Sequence, residues 1–259
     1  MKICIDLNCD MGESFGAYKV GRDEEVIKHI TSANIACGFH ASDPSVMEHT
    51  VKLCKEHGVQ AGAHPGYPDL LGFGRRAMAV SREELTNYII YQIGALSGFL
   101  AYHNLPLQHV KMHGALYNYL VQEESIFFQI IAAVKKAFDN PVFLTLATEK
   151  GMKLKKLGAE KGYRIALEAF PDRNYSDAGE LLLRSDKDAL LKNPEVIAQR
   201  ALRMIKEKGI ESVNGRWIDM AIDTLCLHGD DLASVDAASK IKSYCEKEGI
   251  ALQPLSEFV

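Results

Sequence analysis

Hydrophobic positions along this chain follow two rhythms. Short apolar-rich runs at 3–7 (ICIDL), 33–37 (ANIAC), 59–63 (VQAGA), 109–113 (HVKMH), 142–147 (VFLTLA), 163–168 (YRIALE) and 223–228 (DTLCLH) have the length and near-continuous apolar character of strands covered on both faces. Between them apolar residues recur at helical spacing. Val46, Met47, Thr50, Val51 and Cys54 share one face of 43–57, with Pro44 suited to a first turn. Ser81 and Glu84 stand at capping-box spacing ahead of 82–103, and 125–138, 194–208 and 233–248 are the other clear helices. Gly58, Gly209 and Gly249 follow helical runs, as C-terminal glycines do.

Strand–helix alternation of this kind predicts a parallel sheet with helices outside, and 259 residues without a low-complexity or Pro/Ser-rich linker suit one domain over 1–259. Seven strands close a barrel or open into a doubly wound sheet. A Rossmann sheet carries Gly-x-Gly-x-x-Gly after its first strand, where this chain has NCDMGES, which favours a TIM-like barrel.

The strand ends are where chemistry gathers. The first strand runs through Asp6, Asn8 and Asp10 to Glu13, and the second into Gly38, Phe39 and His40. The third ends at His64, the fourth in Lys111 and His113, the sixth at Glu168 with Asp172 and Arg173 beyond, the seventh at His228 with Asp230 and Asp231. The fifth ends in Thr145 and Thr148 without a strong titratable group. In a parallel barrel all these ends meet on one face. A single histidine near an apolar strand is more often a satisfied structural one, but four in equivalent places favour a site. A glycine stands beside each, in GFH, AHPG, HGAL and HGD, for close approach or for simple turns. The Gly- and Pro-rich loop 64–76 ends in Arg75 and Arg76, equally readable as a carboxylate or phosphate grip and as a solvated pair.

Composition narrows the class. A net charge of −4 gives no electrostatic case for a nucleic-acid partner or an anionic membrane. Asp6, Asn8 and Asp10 interrupt the N-terminal apolar run too early for a signal peptide, and no window is long enough to span a bilayer, so a cytoplasmic location is expected. The six cysteines form no Cys-x-x-Cys pair and read as buried free thiols. P-loop, Gly-x-Ser-x-Gly and His-Glu-x-x-His motifs are missing, so any nucleotide is held by a less standard site.

The segments DLNCDMGESFG (6–16), SANIACGFHASDP (32–44), GAHPGYPDLLGFGRR (62–76), VKMHGALYN (110–118), EAFPDRNY (168–175) and CLHGD (226–230) give the chain a resemblance to the LamB/YcsF family. They run in family order almost from end to end. Met112 departs from the proline usual between the lysine and the histidine. The resemblance implies a seven-stranded β/α barrel similar to the glycoside hydrolase/deacetylase group, and ATP-dependent opening of 5-oxoproline (pyroglutamate) to glutamate, with ADP and phosphate as co-products. It also implies separate B and C subunits as partners; association with further copies of the chain stays open. Such a reaction needs cations for phosphates and carboxylate, for which Lys111, Arg75 and Arg173 are candidates. It needs a base for water, from His113, His64 or Glu168. It needs Mg²⁺ ligands for the nucleotide, from Asp6, Asp10, Glu13 or Asp230. Asn8, His40, Asn118, Asp172 and His228 complete the expected binding set. Two other readings fit the same residues: a metal-dependent deacetylase or amidohydrolase needing no ATP, and a binding subunit without chemistry of its own.

Overall fold

A computed structural model describes residues 3–184, 186–228 and 232–259, with His228 described in its backbone alone. Seven strands form the barrel: β1 Cys4–Met11, β2 Ser32–Ala36, β3 Gln60–His64, β4 Leu107–Val110, β5 Val142–Leu146, β6 Ile165–Ala169 and β7 Thr224–His228. Each pairs in parallel with the next, and β7 pairs back onto β1 with Asp6 opposite Thr224 and Asp10 opposite His228, so the sheet closes. A two-residue strand, Ala251–Leu252, adds to the start of β1 below the barrel. The chain thus has the parallel seven-stranded β/α barrel that its pattern and its resemblance imply.

The helices that pack outside are α1 Pro44–His57, α2 Arg82–His103, α3 Gly114–Gln122, α4 Glu124–Ala137, α5 Glu149–Glu160, α6 Pro194–Glu207 and α7 Leu232–Lys247. Local signals set their ends. Asp43 caps α1 by accepting from Ser45 and Val46 ahead of Pro44, and Gly58 closes it in the left-handed region at φ 67. Ser81 and Glu84 form the reciprocal capping box at the start of α2. After α6 the left-handed cap is Lys208, not Gly209, because Gly209 already belongs to a small hairpin, Gly209–Glu211 against Trp217–Asp219. No helix among the described residues is long and apolar enough to cross a membrane.

One expectation fails instructively. The strands are not apolar on both faces. On β1, Leu7, Cys9 and Met11 point to the helices and are buried in the apolar shell with Ile35, Val51, Ile89, Leu96 and Ile130. Asp6 and Asn8 alternate with them and point inward, equally buried, as do Ser32, Asn34, His109 and Thr224 on their strands. The main apolar core is therefore the layer between strands and helices, and the axis is polar along β1, β2, β4 and β7, while a small second cluster of Val142, Leu144, Ala166 and Leu255 is buried on the other face of β5 and β6. A TIM barrel usually fills that axis with branched aliphatic side chains.

His109 fits the axis because Gly62 faces it. The two are paired across β3 and β4, next to a register shift at Ala61/Gly62. A Cβ on residue 62 would overlap the imidazole ring. That ring cannot step aside, since Asn34 and Gln108 hold both its nitrogens, at 2.7 and 3.0 Å. Gly62→Ala is therefore expected to destabilise the protein by about 1–3 kcal/mol, the range for overpacking. A chemical-denaturation midpoint equal to wild type would show that the ring has somewhere to go.

Candidate active site

Asp6, Asn8 and Asp10 lie at alternate positions of β1 and so at rising heights along the axis. Lowest, the Asp6 carboxylate accepts from Thr31 at 2.7 Å, from Ser32 at 2.5 Å and from Thr224. Above it, Asn8 donates to Glu168 Oε1 at 3.0 Å and to Thr224 at 2.6 Å. Asn34 donates to Asn8 Oδ1 at 2.6 Å and to Asp10 Oδ1 at 2.8 Å, and accepts from His109 Nε2. With Gln108 donating to Nδ1, His109 is neutral; burial, then the nearby Lys111, push it down to about 3.

Lys111 tops this ladder. Its Nζ lies 2.7 Å from Asp10 Oδ1, 3.1 Å from Glu168 Oε1 and 3.0 Å from Cys226 Sγ. Burial favours a neutral amine, but Asp10, Cys226 and Glu168 outweigh it and hold the ammonium well above the ordinary lysine range. Tyr117 donates to the other Glu168 oxygen at 2.7 Å. Burial and that neighbouring carboxylate keep its phenol protonated.

Next to Asp10 stands a group of imidazoles. His64 donates from Nδ1 to the Lys111 carbonyl at 2.7 Å, and His113 donates from Nε2 to the Phe73 carbonyl at 2.8 Å. Their remaining nitrogens, His64 Nε2 and His113 Nδ1, face each other at 3.0 Å. The His40 ring stacks on His113, with centroids 3.7 Å apart and planes 5° apart, and its Nε2 is 3.3 Å from Glu13 Oε1. Burial first, then neighbouring histidines, hold His40 and His113 well below the usual imidazole range. Phe73 (φ 53) and Gly74 (φ 64) are consecutive left-handed residues, which turn the Phe73 carbonyl toward His113. A side chain on Gly74 would crowd His40 Cβ at 2.8 Å and His113 Cδ2 at 2.9 Å.

These groups floor a cleft of about 910 Å³ at the carboxyl ends of the strands. Asp10, Glu13, His64, Lys111 and His113 line its floor; Arg75, Asn118, Lys150, Arg173 and Arg184 line its wall. Arg173 is only 6% exposed and donates from Nη2 to the Leu182 carbonyl at 2.6 Å, while its Nε has no hydrogen-bond partner. Burial, then Arg184, lower its affinity for its proton. Arg75 is exposed, with its guanidinium 5.0 Å from the Phe73 ring. Its neighbour Arg76 turns the other way. It clamps Asp69 and ties the 64–76 loop to itself, with Nε 3.0 Å from Oδ1.

The expected residues therefore separate by depth. Asp10, Glu13, His64, Arg75, Lys111, His113, Asn118 and Arg173 line the cleft. His40 lies behind His113 and Glu13, fully buried. Asp6, Asn8 and Glu168 lie in the axis beneath, and Asp172 is buried outside the lining. Asp6 does not offer a metal ligand to the cleft: three hydroxyls occupy its carboxylate two layers down. Asp230 lies outside the described residues, and so does the His228 side chain. Pattern reading passes over Asn34, His109, Tyr117, Thr224 and Cys226, all part of the ladder. Inward alternation on their strands is the available signal, except for Tyr117, which sits on α3.

A closed parallel β/α barrel with carboxylates, imidazoles and an ammonium at the carboxyl ends of its strands defines a hydrolase-type barrel. The chain belongs to the LamB/YcsF family, whose profile matches residues 5–259. It is 49% identical over 255 residues, 98% of this chain and 99% of that one, to a protein of Pyrococcus horikoshii named as the A subunit of 5-oxoprolinase. A Thermus thermophilus structure described as a lactam utilization protein superposes with a TM-score of 0.88 at 41% identity, covering 97% of this chain and 99% of that one. The peptidoglycan deacetylase PdaC of Bacillus subtilis, at 12% identity and a TM-score of 0.51 over 99% of this chain and 89% of that one, shares the fold alone.

Asp6 gives a pH-dependent prediction. Burial outweighs its hydroxyl partners and raises its carboxyl from 3.8 to about 6. Between those values the folded chain keeps a proton that the unfolded chain has lost, so this group makes stability fall as pH rises, with no further change above the window. Asp6→Asn lacks that slope. Across the window the unfolding free energy of wild type is expected to drop by about 3 kcal/mol relative to the variant. A difference that does not vary with pH would mean that Asp6 is ionised throughout.

Proposed function

We propose that the chain is the A subunit of an ATP-dependent 5-oxoprolinase, which opens 5-oxo-L-proline to L-glutamate as ATP is cleaved to ADP and phosphate. The observation that carries this reading is the end-to-end similarity to proteins named as the A subunit of that enzyme, 49% over 98% of the chain. The cleft supports it chemically.

A lactam carbonyl is resonance-stabilised and a poor electrophile. Transfer of the γ-phosphoryl group to the lactam oxygen corrects this. Water adds to the activated carbon, the ring C–N bond breaks as nitrogen takes a proton, and γ-glutamyl phosphate remains. A second water releases phosphate, so one ATP and two waters balance to glutamate, ADP and phosphate. Arg173, with its unpartnered buried Nε, and Arg75 at the mouth suit the substrate carboxylate and the phosphates, with Lys150 and Arg184 extending the cationic wall. The His64 and His113 rings meet at the floor of this cleft, with His64 Nε2 3.0 Å from His113 Nδ1, beside the place where the attacking water loses its proton. Lys111 fixes Asp10 and Glu168 and does not reach up to phosphate, because three partners hold its Nζ. Mg²⁺ accompanies the nucleotide as its counter-ion; Asp10 and Glu13 are the hard-oxygen groups on the cleft lining.

The rim bears exposed apolar side chains: Phe15, Tyr18 and Val20 after β1, Leu70 and Leu71 after β3, and Leu183 after β6. Exposed apolar side chains on one rim suit a docked protein, and we assign them to contacts with the B and C subunits.

Two measurements test this. In the complex reconstituted with B and C subunits, Arg173→Ala is expected to lower kcat/KM for 5-oxoproline by roughly 100-fold, the effect of removing one partner of a buried charged contact. Glutamate formed without ATP would overturn the reaction. Leu71, 96% exposed, makes little contact within the chain, so Leu71→Asp should leave its melting temperature unchanged while abolishing co-elution with the partners. Unimpaired co-elution would move the docking surface elsewhere.

A further inference from the structure

His64 and His113 meet at close range on the floor of the cleft. Each spends its N–H on a backbone carbonyl, Lys111 O at 2.7 Å and Phe73 O at 2.8 Å. That leaves His64 Nε2 and His113 Nδ1, the nitrogens not engaged with a carbonyl, facing each other across 3.0 Å. Two ring nitrogens do not stay in that arrangement unless something positive lies between or beside them. Two carboxylates stand at the same point: Asp10 Oδ2 is 3.4 Å from His64 Nε2, and Glu13 Oε1 is 3.5 Å from His113 Nδ1. All three carboxylates around the floor, Asp10, Glu13 and Glu168, are buried or nearly so, while the ammonium of Lys111 is shared between Asp10 and Glu168.

We propose that His64 Nε2, His113 Nδ1 and the carboxylates of Glu13 and Asp10 form a binding site for one divalent first-row transition ion on the floor of the cleft. The donor types fit, two imidazoles with one or two carboxylates and an open side for solvent or substrate. Mg²⁺ fits less well, because it favours oxygen ligands and retained water. The spacing fits as well. Metal–nitrogen bonds of about 2.0–2.1 Å set neighbouring donors roughly 2.9–3.4 Å apart, and the two imidazole nitrogens are 3.0 Å apart. The candidate ligand atoms of Glu13, His64 and His113 lie within 4.8 Å of one another, and Asp10 Oδ2 is 3.4 Å from His64 Nε2, so side-chain movements of about an ångström close the shell. The surroundings have the form of an outer shell, since metal-bound histidines ordinarily donate their other N–H to a carbonyl or carboxylate. His40 takes a positioning role. Its Nδ1 is buried without a partner, so its proton sits on Nε2, which donates to Glu13 Oε1 at 3.3 Å and aims that carboxylate.

The site rests on the floor geometry and not on the 5-oxoprolinase reading. The purified chain, stripped with chelator, is titrated with Zn²⁺ by calorimetry and with Co²⁺ by visible absorption, with no nucleotide, 5-oxoproline or partner present. We expect one equivalent of each ion to bind, with Co²⁺ giving ligand-field bands. His64→Gln and His113→Gln should each weaken binding by more than roughly 100-fold, and His40→Gln, acting through Glu13, by about 10-fold. Circular dichroism of the apo variants, matching wild type, guards against simple unfolding, and Zn²⁺ should raise the Tm of wild type but not of His113→Gln. Failure of wild type to bind either ion, or equal binding by the two ligand variants, overturns the site and leaves a shared proton between the rings instead. A chain that binds metal but supports no ATP-dependent ring opening would uphold the metal site and sink the functional reading; the opposite result would do the reverse.

Discussion

An ammonium enclosed by a barrel must be met by fixed negative charge, and Lys111 is met by Asp10 and Glu168 at hydrogen-bonding distance. Burying two carboxylates and an ammonium is costly unless their remaining hydrogen-bonding positions are also filled. The rest of the axis meets that requirement. Tyr117 and Asn8 complete Glu168, and Asn34 completes Asp10. Asn34 in turn is held by His109, and His109 by Gln108. The chain of dependence reaches Ser32 and Asp6 at the foot of the barrel. Even the glycine at 62 belongs to it, because only a missing side chain leaves room for the His109 ring.

The same ladder sets the floor of the cleft. Lys111 contributes its side chain to Asp10 and its carbonyl to His64, so one residue positions both an acid and an imidazole. The 64–76 loop returns over the site and supplies the Phe73 carbonyl to His113. It is stapled by Arg76 to Asp69, which leaves Arg75 on the cleft. Floor and wall then carry opposite character, carboxylates and imidazoles below and guanidinium groups to the side.

The architecture is largely legible in the chain because periodicity and caps are local. Seven strands and the five clearer helices fall within a few residues of their expected places, and the Ser81–Glu84 box does what its spacing implies. α3 is hidden because HGALYN reads as a strand end, and the 209–219 hairpin because its strands are three residues each. Depth is not legible. Asp6, Asn8 and Asp10 look alike in sequence, yet only Asp10 lines the cleft. Glu168 looks like a base but is roofed by Lys111 and Tyr117. Arg75 and Arg76 are adjacent and chemically identical, and only folding the loop assigns one to Asp69 and the other to the cleft. Alternation along ICIDLNCD does carry one message that continuous apolar runs obscure: a strand with acid or amide at every second place has a polar interior to face.

That interior has a consequence for traffic. Because side chains fill the barrel axis from Asp6 up to Lys111, the strands enclose a blind-ended vessel rather than a pore. Whatever reaches Lys111 or His113 must arrive across the rim and leave by the same route. A protein seated on Phe15, Tyr18 and Leu71 would roof that mouth. Its arrival and departure would then time the entry of water, which makes the partner a stopper as much as a scaffold.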